Sequence, residues 1–571
     1  MAEHDLVIRG GTVIDGSGDQ RRTADVAVSD GVITHVGEVS GTGRREVNAD
    51  GRLVQPGFVD IHTHYDGQAT WDSQLAPSSW HGVTTVVMGN CGVGFAPVRP
   101  ADHERLIQLM EGVEDIPGIA LHEGLPWTWQ SFDEYLDHLG GRHYDIDVGA
   151  QVPHAAVRLN VMGERGAARE TATPDDIAAM AEIVKRGIQA GALGFSTSRT
   201  LNHKSSLGEP TPTLTAEIEE MVGIAEAVGS TGTGVLQLVG DFRDFDDEFR
   251  IARAMAARSG RPISISVAQA GGRPEQWKAL LDSMAAATDE GVTMRAQVGA
   301  RAVGILLGLQ ATLSPFMKCP TYRRLAELPL EDRVVAMAAP EVKQAIISEL
   351  SDDLDRNVLG ARVAQRWDLM FALGDPPQYE PSPHDSVEAT AGRMGVEPAS
   401  LAYDLMLERG GQALLYVPSL NYVDGNLDVV REQLMHPVAV PGLSDGGAHV
   451  GTICDVSFPT TLMQWWGRDR PHGRIPLETI VHKQARATAR AVGLNDRGLL
   501  APGYKADINV VDFDSLTLHA PVIVGDLPAG GRRLLQRVTG IDHTFVSGVE
   551  VCSNSESTGE TPGRLVRGAR G

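Results

Sequence analysis

The chain has 571 residues, 42% of them hydrophobic and 22% charged, with 50 Lys and Arg against 74 Asp and Glu for a formal net charge of −24. That length calls for more than one domain or one large barrel with additions, and that charge argues against a nucleic-acid or anionic-membrane partner. The four cysteines (Cys91, Cys319, Cys454 and Cys552) are far apart with no CxxC, so we expect free thiols in a reducing, cytoplasmic setting.

The N-terminus, MAEHDLVIRGG, lacks the basic and apolar regions of a signal peptide. No apolar run in the chain approaches the roughly 20 residues of a membrane span. Residues 5 to 55 read as short strands broken by turns, such as Asp5–Arg9, Ala24–Val28 and Gly31–Val36. Such a unit needs a partner sheet. From 56 onward, strand-like runs alternate with amphipathic stretches. Eight candidate strands stand at Gly57–Ile61, Val83–Met88, Ile146–Val152, Leu193–Ser196, Gly234–Leu238, Ile263–Val267, Val292–Gln297 and Val438–Leu443. Asp175–Gln189 and Ala216–Val228 carry apolar residues at helical spacing. This pattern predicts an α/β fold, a TIM-type (β/α)8 barrel over 56–495. Residues 314–408, rich in charge and helix formers, form a mainly helical insertion between strands seven and eight. It is either decoration or a lid or dimer contact that shapes the substrate pocket. Residues 496–552 return to short strands, and the Ser-, Thr-, Gly- and Arg-rich stretch 553–571 reads as a mobile tail.

The chemistry starts at the first barrel strand. Its run GFVDI ends in His62-Thr63-His64. Alternate residues on a strand share a face, so two imidazoles aim at one point, and their usual common partner is a divalent metal. The second strand ends in Gly89-Asn90-Cys91-Gly92, which brings a thiol to the same end. The eighth ends in Ser444-Asp445-Gly446-Gly447. Active sites of such barrels lie at the C-terminal ends of the strands.

The segments HTHYD, WD and HGVTTVVMGNCGVGFAPV together resemble the N-acyl-D-amino-acid deacylase (D-aminoacylase) branch of the amidohydrolase superfamily. The likeness extends to Arg497-Gly498, Pro502-Gly503 and Ala506-Asp507 near the other end. It implies that 1–55 and 496–552 join in one β-sandwich flanking the barrel. It also implies that the aspartate of the SDG element, Asp445, touches the metal and moves the proton. Zinc, one ion per chain, is the cofactor expected for His62, His64, Cys91 and Asp445. It would lower the pKa of water to about 7, and the hydroxide would attack an amide carbonyl while Asp445 accepts and then delivers the proton.

Two departures stand out. The branch carries His after strand five in a T-H-x-R context, where this chain has Gln237, and His after strand six in an I-S-H-x-K context, where it has Val267 and Gln269. Valine cannot bind a metal, and Gln237 offers at most a weak oxygen ligand. The expected substrate contacts are Arg199, His203 and Lys204 after strand four, His154 and Arg158 after strand three, and Gln237, Gln269 and His449, the last behind Asp445. His154 reads equally well as a structural histidine. The leading expectation is a metal-dependent hydrolase of N-acyl (D-)amino acids or related amides. The alternatives are a cyclic amide, a lactone, or a lyase or isomerase reaction at the same mononuclear site, and a non-catalytic binding scaffold. The partner is a small-molecule substrate, with no nucleic acid and no membrane; a homo-oligomer is permitted.

Overall fold

The computed structural model describes residues 2–350 and 363–568. Its centre is an eight-stranded parallel sheet, made in chain order of Phe58–Asp60, Val83–Met88, Asp147–Pro153, Gly194–Arg199, Val235–Gly240, Ile263–Val267, Met294–Val298 and Ala439–Pro441. Each expected strand is present, within a few residues of its expected bounds. Closure is made at the C-terminal rim, where Thr63 bridges Gly446 in parallel, the His64 N–H donates to Gly446 O at 2.7 Å and the Asp445 N–H to His62 O at 3.1 Å. Inside the barrel Val59, Ile61, Val87, Leu193 and Val440 pack together, while the alternate residues Val86, Leu236, Ile263 and Ile265 belong to the larger core shared with the helices.

The helices between the strands are locally determined. In Pro174–Ala190 the Thr173 side chain and Asp176 form a capping box, Pro174 opens the first turn, and Gly191 at φ +115° ends it. Met180, Val184, Gly187 and Ile188 are its buried stripe.

The two chain ends meet in a nine-stranded sheet, in which Leu53–Pro56 pairs antiparallel with Ile508–Val511. Leu6, Ile8, Val26 and Val28 pack there with Leu500, Ile508, Val510 and Phe545. The N-terminal rim of the barrel is tied to this sheet by charge. Arg497 donates to Asp147 Oδ2 at 2.7 Å and to Thr85 Oγ1 at 2.8 Å, and Lys505 Nζ stands 3.2 Å from the same carboxylate.

The expectation of a mobile tail is corrected. Gly563 and Tyr144 exchange backbone hydrogen bonds, the Arg564 N–H donates to Asp147 Oδ1 at 2.9 Å, the Val566 N–H to Val148 O at 2.7 Å, and the Gly568 N–H to Gly191 O at 2.9 Å. The polar composition hides a strand-like run that pairs with the start of the third barrel strand. Gly563 passes so close that a Cβ there would stand 2.3 Å from the Ile146 carbonyl. Residues 569–571 of that tail lie outside the described residues.

The insertion is helical, with Pro320–Ala326, Leu330–Met337, Pro340–Ser348, Val387–Met394 and Pro398–Gly411, and it is wider than expected. Val303–Leu307, Leu415–Leu420 and Phe371–Ala372 form an antiparallel sheet at its base. Leu307, Phe316, Tyr403 and Val417 belong to a core of its own. The stretch 351–362, part of the expected insertion, lies outside the described residues.

Candidate functional site

The two histidines are aimed by what lies between and behind them. Thr63 turns the other way, its hydroxyl donating to Val87 O at 2.9 Å. That leaves His62 and His64 on the cavity side. The Nδ1 of His62 meets Gln297 Oε1 at 2.5 Å, so this nitrogen carries the proton and Nε2 presents its lone pair. That Nε2 lies 3.3 Å from Cys91 Sγ and 3.4 Å from Asp445 Oδ1. His64 Nε2 lies 3.7 Å from the same Asp445 oxygen.

The motif around Cys91 has a steric reason. Gly89 sits at φ +79°, and a Cβ there would stand 2.2 Å from Gln151 O. Asn90 donates to Thr63 O at 3.1 Å and to Val87 O at 2.9 Å, fastening the ends of strands one and two together. Asp60 receives the Ser444 hydroxyl and, at 3.2 Å, the His62 N–H. Cys91, Leu443, Asp445 and His449 all have left-handed backbones, at φ +57°, +59°, +50° and +51°. Each such residue costs on the order of 1–3 kcal/mol, a strain that clusters where a site must hold a set geometry.

The ligand atoms of His62, His64 and Cys91 all lie within 4.8 Å of one another. Burial lowers the basicity of His62 and drives that of His64 far down. Burial also pushes the Cys91 thiol well above its ordinary value, with Glu114 and Asp445 adding to it, and it raises Asp445 to about 7. A cation in their midst reverses every penalty on the anions and suits neutral imidazoles. Both ring nitrogens of His64 are fully buried and make no hydrogen bond among the described residues; Nδ1 has only the Glu114 carboxylate 3.3 Å away, and Nε2 faces the cluster. A buried polar atom is seldom left so. The set fits a divalent ion.

Above the cluster opens a cavity of about 310 Å³. Of the expected substrate contacts, His203 and His449 line it; the others do not. His154 bonds Thr197 Oγ1 at 2.8 Å and Glu220 Oε1 at 2.9 Å, and Arg158 pairs with the other Glu220 oxygen. Both are structural, satisfied by a glutamate from the helix Ile218–Gly229. The Arg199 guanidinium donates to Ala216 O and faces Glu248 at 3.8 Å. Lys204 is bridged through its backbone to Pro210 and stays off the cavity wall. Gln237 spends its oxygen on the Cys91 N–H at 3.0 Å, so it seats the thiol's backbone instead of offering a ligand. Gln269 is engaged by the Val423 N–H and by Asp424, at 3.3 and 3.4 Å. His449 Nε2 faces Glu114 Oε2 across 3.6 Å.

Two groups went unseen in the sequence. Gln297 enters the sequence reading only as the last residue of the seventh expected strand. Glu114 lines the cavity, buried, 3.3 Å from His64 Nδ1. One signal was available: it follows Leu106, Met110 and Val113 on the buried stripe of its helix. The rest of the wall combines apolar Val239, Phe242, Val267, Trp277 and Leu280 with polar Thr200, Asn202, Asp241, Ser266 and Gln276, and the insertion sheet adds Val303 and Leu420.

The model described as the amidohydrolase family matches residues 45–552. A D-aminoacylase of Alcaligenes xylosoxydans xylosoxydans is 26% identical over 574 residues, covering 98% of this chain and 97% of the relative. An N-acyl-D-glutamate deacylase of the same organism is 26% identical, covering 99% and 96%. Among solved structures, a D-aminoacylase superposes with a TM-score of 0.65 at 23% identity, over 99% of this chain and 100% of that one. An N-acyl-D-glutamate deacylase from Bordetella bronchiseptica, complexed with zinc and a phosphonate mimic of the tetrahedral intermediate, gives 0.64 at 22%, over 99% of each chain.

Proposed function

This chain belongs to the amidohydrolase family, in its D-aminoacylase-like branch, as a metal-dependent enzyme of non-peptide C–N bonds, and we propose that it hydrolyses the amide of N-acyl amino acids or closely related N-acyl compounds. The observation that carries this reading is the convergence of two imidazoles, a thiol and a carboxylate within one buried cluster beneath a substrate-sized cavity. The substrate class is supported by full-length similarity to a D-aminoacylase and an N-acyl-D-glutamate deacylase.

His62, His64, Cys91 and Asp445 would hold one ion, zinc being favoured by imidazole and thiolate donors. When bound, it acidifies water and polarises the scissile carbonyl. Asp445 does the proton work. Its carboxylate takes a proton from the attacking water as oxygen adds to the carbonyl carbon, then delivers it to the departing nitrogen as the C–N bond breaks. Carboxylic acid and amine are released. The apolar wall around Trp277 and Phe242 takes the acyl group. A single ion is supported by Val267, which cannot coordinate, and by Gln237, whose oxygen is already engaged.

The test is metal content per chain with Cys91→Ala beside the parent, followed by an N-acyl amino acid panel in both stereochemical series. About one zinc per chain, weakened in Cys91→Ala, with amine release from the panel, is the expected result. Retention of two ions, or none after reloading, would refute the single-ion site.

A further inference from the structure

Glu114 is the last residue of the helix His103–Glu114, and three features make an acid there unfavourable. It lies on the buried stripe, its side chain is 1% exposed, and a helix C-terminus disfavours negative charge. A buried charge persists where something compensates it.

Its surroundings point one way. Oε1 stands 3.3 Å from His64 Nδ1, and neither atom makes a hydrogen bond to any other group among the described residues. Oε2 stands 3.6 Å from His449 Nε2. Neighbouring groups repeat the attachment: the Glu114 carbonyl accepts the His449 N–H, and the side chain of the next residue, Asp115 at φ +50°, accepts the Gly451 N–H at Oδ2, 3.2 Å. The end of this helix therefore clasps both a histidine of the cluster and the loop that carries Asp445.

We propose that Glu114 is a positioning residue of the metal site, holding the Nδ1 proton of His64 so that Nε2 is presented to the ion. The inference rests on the metal reading above. His62 has the corresponding Nδ1 contact from a neutral amide, Gln297. A carboxylate fixes the tautomer more firmly and makes the imidazole a stronger donor than an amide does. The two histidines are therefore unequal ligands, with His64 the stronger.

The experiment is chelator competition for zinc on the full chain, comparing the parent with Glu114→Gln, Glu114→Asp, Glu114→Ala and His449→Ala, with an unfolding midpoint for each. Zinc affinity is expected to fall about 10- to 100-fold in Glu114→Gln, the range for a lost outer-shell partner. It is expected to recover in part in Glu114→Asp, and to stay close to the parent's in His449→Ala. Unchanged affinity in both Glu114→Gln and Glu114→Ala overturns the proposal and leaves the metal site standing. An equal loss in His449→Ala also overturns it, because the effect would then be the clasp on the loop and not the His64 tautomer. A parent that binds no zinc overturns the metal reading beneath it.

Discussion

Asp147 at the N-terminal rim of the barrel and Asp445 at the C-terminal rim are both enclosed carboxylates at strand ends, and their surroundings are opposed. Burial would raise Asp147, yet Lys505, Arg497 and the Arg564 amide together hold it below the ordinary carboxylate range. At Asp445 burial acts alone, and the group rises to about 7. The pattern extends to their neighbours. Arg497 is satisfied by Thr85, Asp147 and Asp496, whereas His64 Nε2 makes no hydrogen bond among the described residues. One rim uses charge to fasten the barrel to the terminal sheet. The other keeps donors unspent, for an ion and a substrate. In a barrel, the same residue type is structural or chemical according to which end of a strand it occupies.

The sharpest way to break that comparison is at Asp445. Asp445→Asn should lower kcat by about 1000-fold, within the range for a lost general acid–base group, with little change in the unfolding midpoint; amine release and thermal unfolding check it. Asp147→Asn should do the reverse. Leaving Arg497 and Lys505 with an amide costs about 3–5 kcal/mol, as for other broken buried pairs, and the protein that remains folded keeps its kcat. Urea unfolding against kcat per folded molecule separates the two.

The Asp147 carboxylate gives a pH dependence of definite sign. Its folded-state pKa is depressed, so the unfolded chain takes up the proton first. Its stabilisation is complete above the unfolded value of about 3.9 and is lost as pH falls through the lower folded value. Asp147→Asn should therefore flatten the acid side of the stability curve, read as unfolding midpoints from neutral pH down to acid. Trp277→Ala comes next in size. It should reduce kcat/KM for bulky apolar acyl groups by about 10–100-fold, as lost pocket contacts do, and affect acetyl substrates less; a series of acyl lengths shows it. Smallest is Lys204→Ala. Away from the cavity wall, it should shift stability by less than about 0.5 kcal/mol, with KM unchanged.

The eight strands were readable because buried parallel strands are continuous apolar runs between amphipathic helices, a local signal. His62, His64, Cys91 and Asp445 were readable because each sits at a strand end in a short motif whose neighbours are sterically required, as Gly89 is. The contacts that went astray depend on partners far away in sequence. Arg158 looks like an anion binder until Glu220 is found against it, and Arg199 until Ala216 and Glu248 are. Gln237 looks like a ligand until the Cys91 N–H occupies it. Glu114 was missed for the complementary reason: a glutamate on an amphipathic helix reads as solvent-facing, and although its spacing from Leu106 and Met110 puts it on the apolar stripe, only the fold shows that the stripe faces the His62–His64–Cys91 cluster. The tail was misread because composition reports side chains, and what orders it is backbone hydrogen bonding to the edge of another element.

The pairing of Leu53–Pro56 with Ile508–Val511 has a consequence for biosynthesis. When the ribosome has made the first barrel strand, the small N-terminal sheet is already out, but the strand that completes it is some 450 residues from being translated. For all that time Leu53–Pro56 presents an open edge, the kind that pairs with the wrong chain. Emergence of Ile508–Val511, and not completion of the barrel, is the event that closes this sheet, and fragments ending before Ile508 should be the aggregation-prone ones.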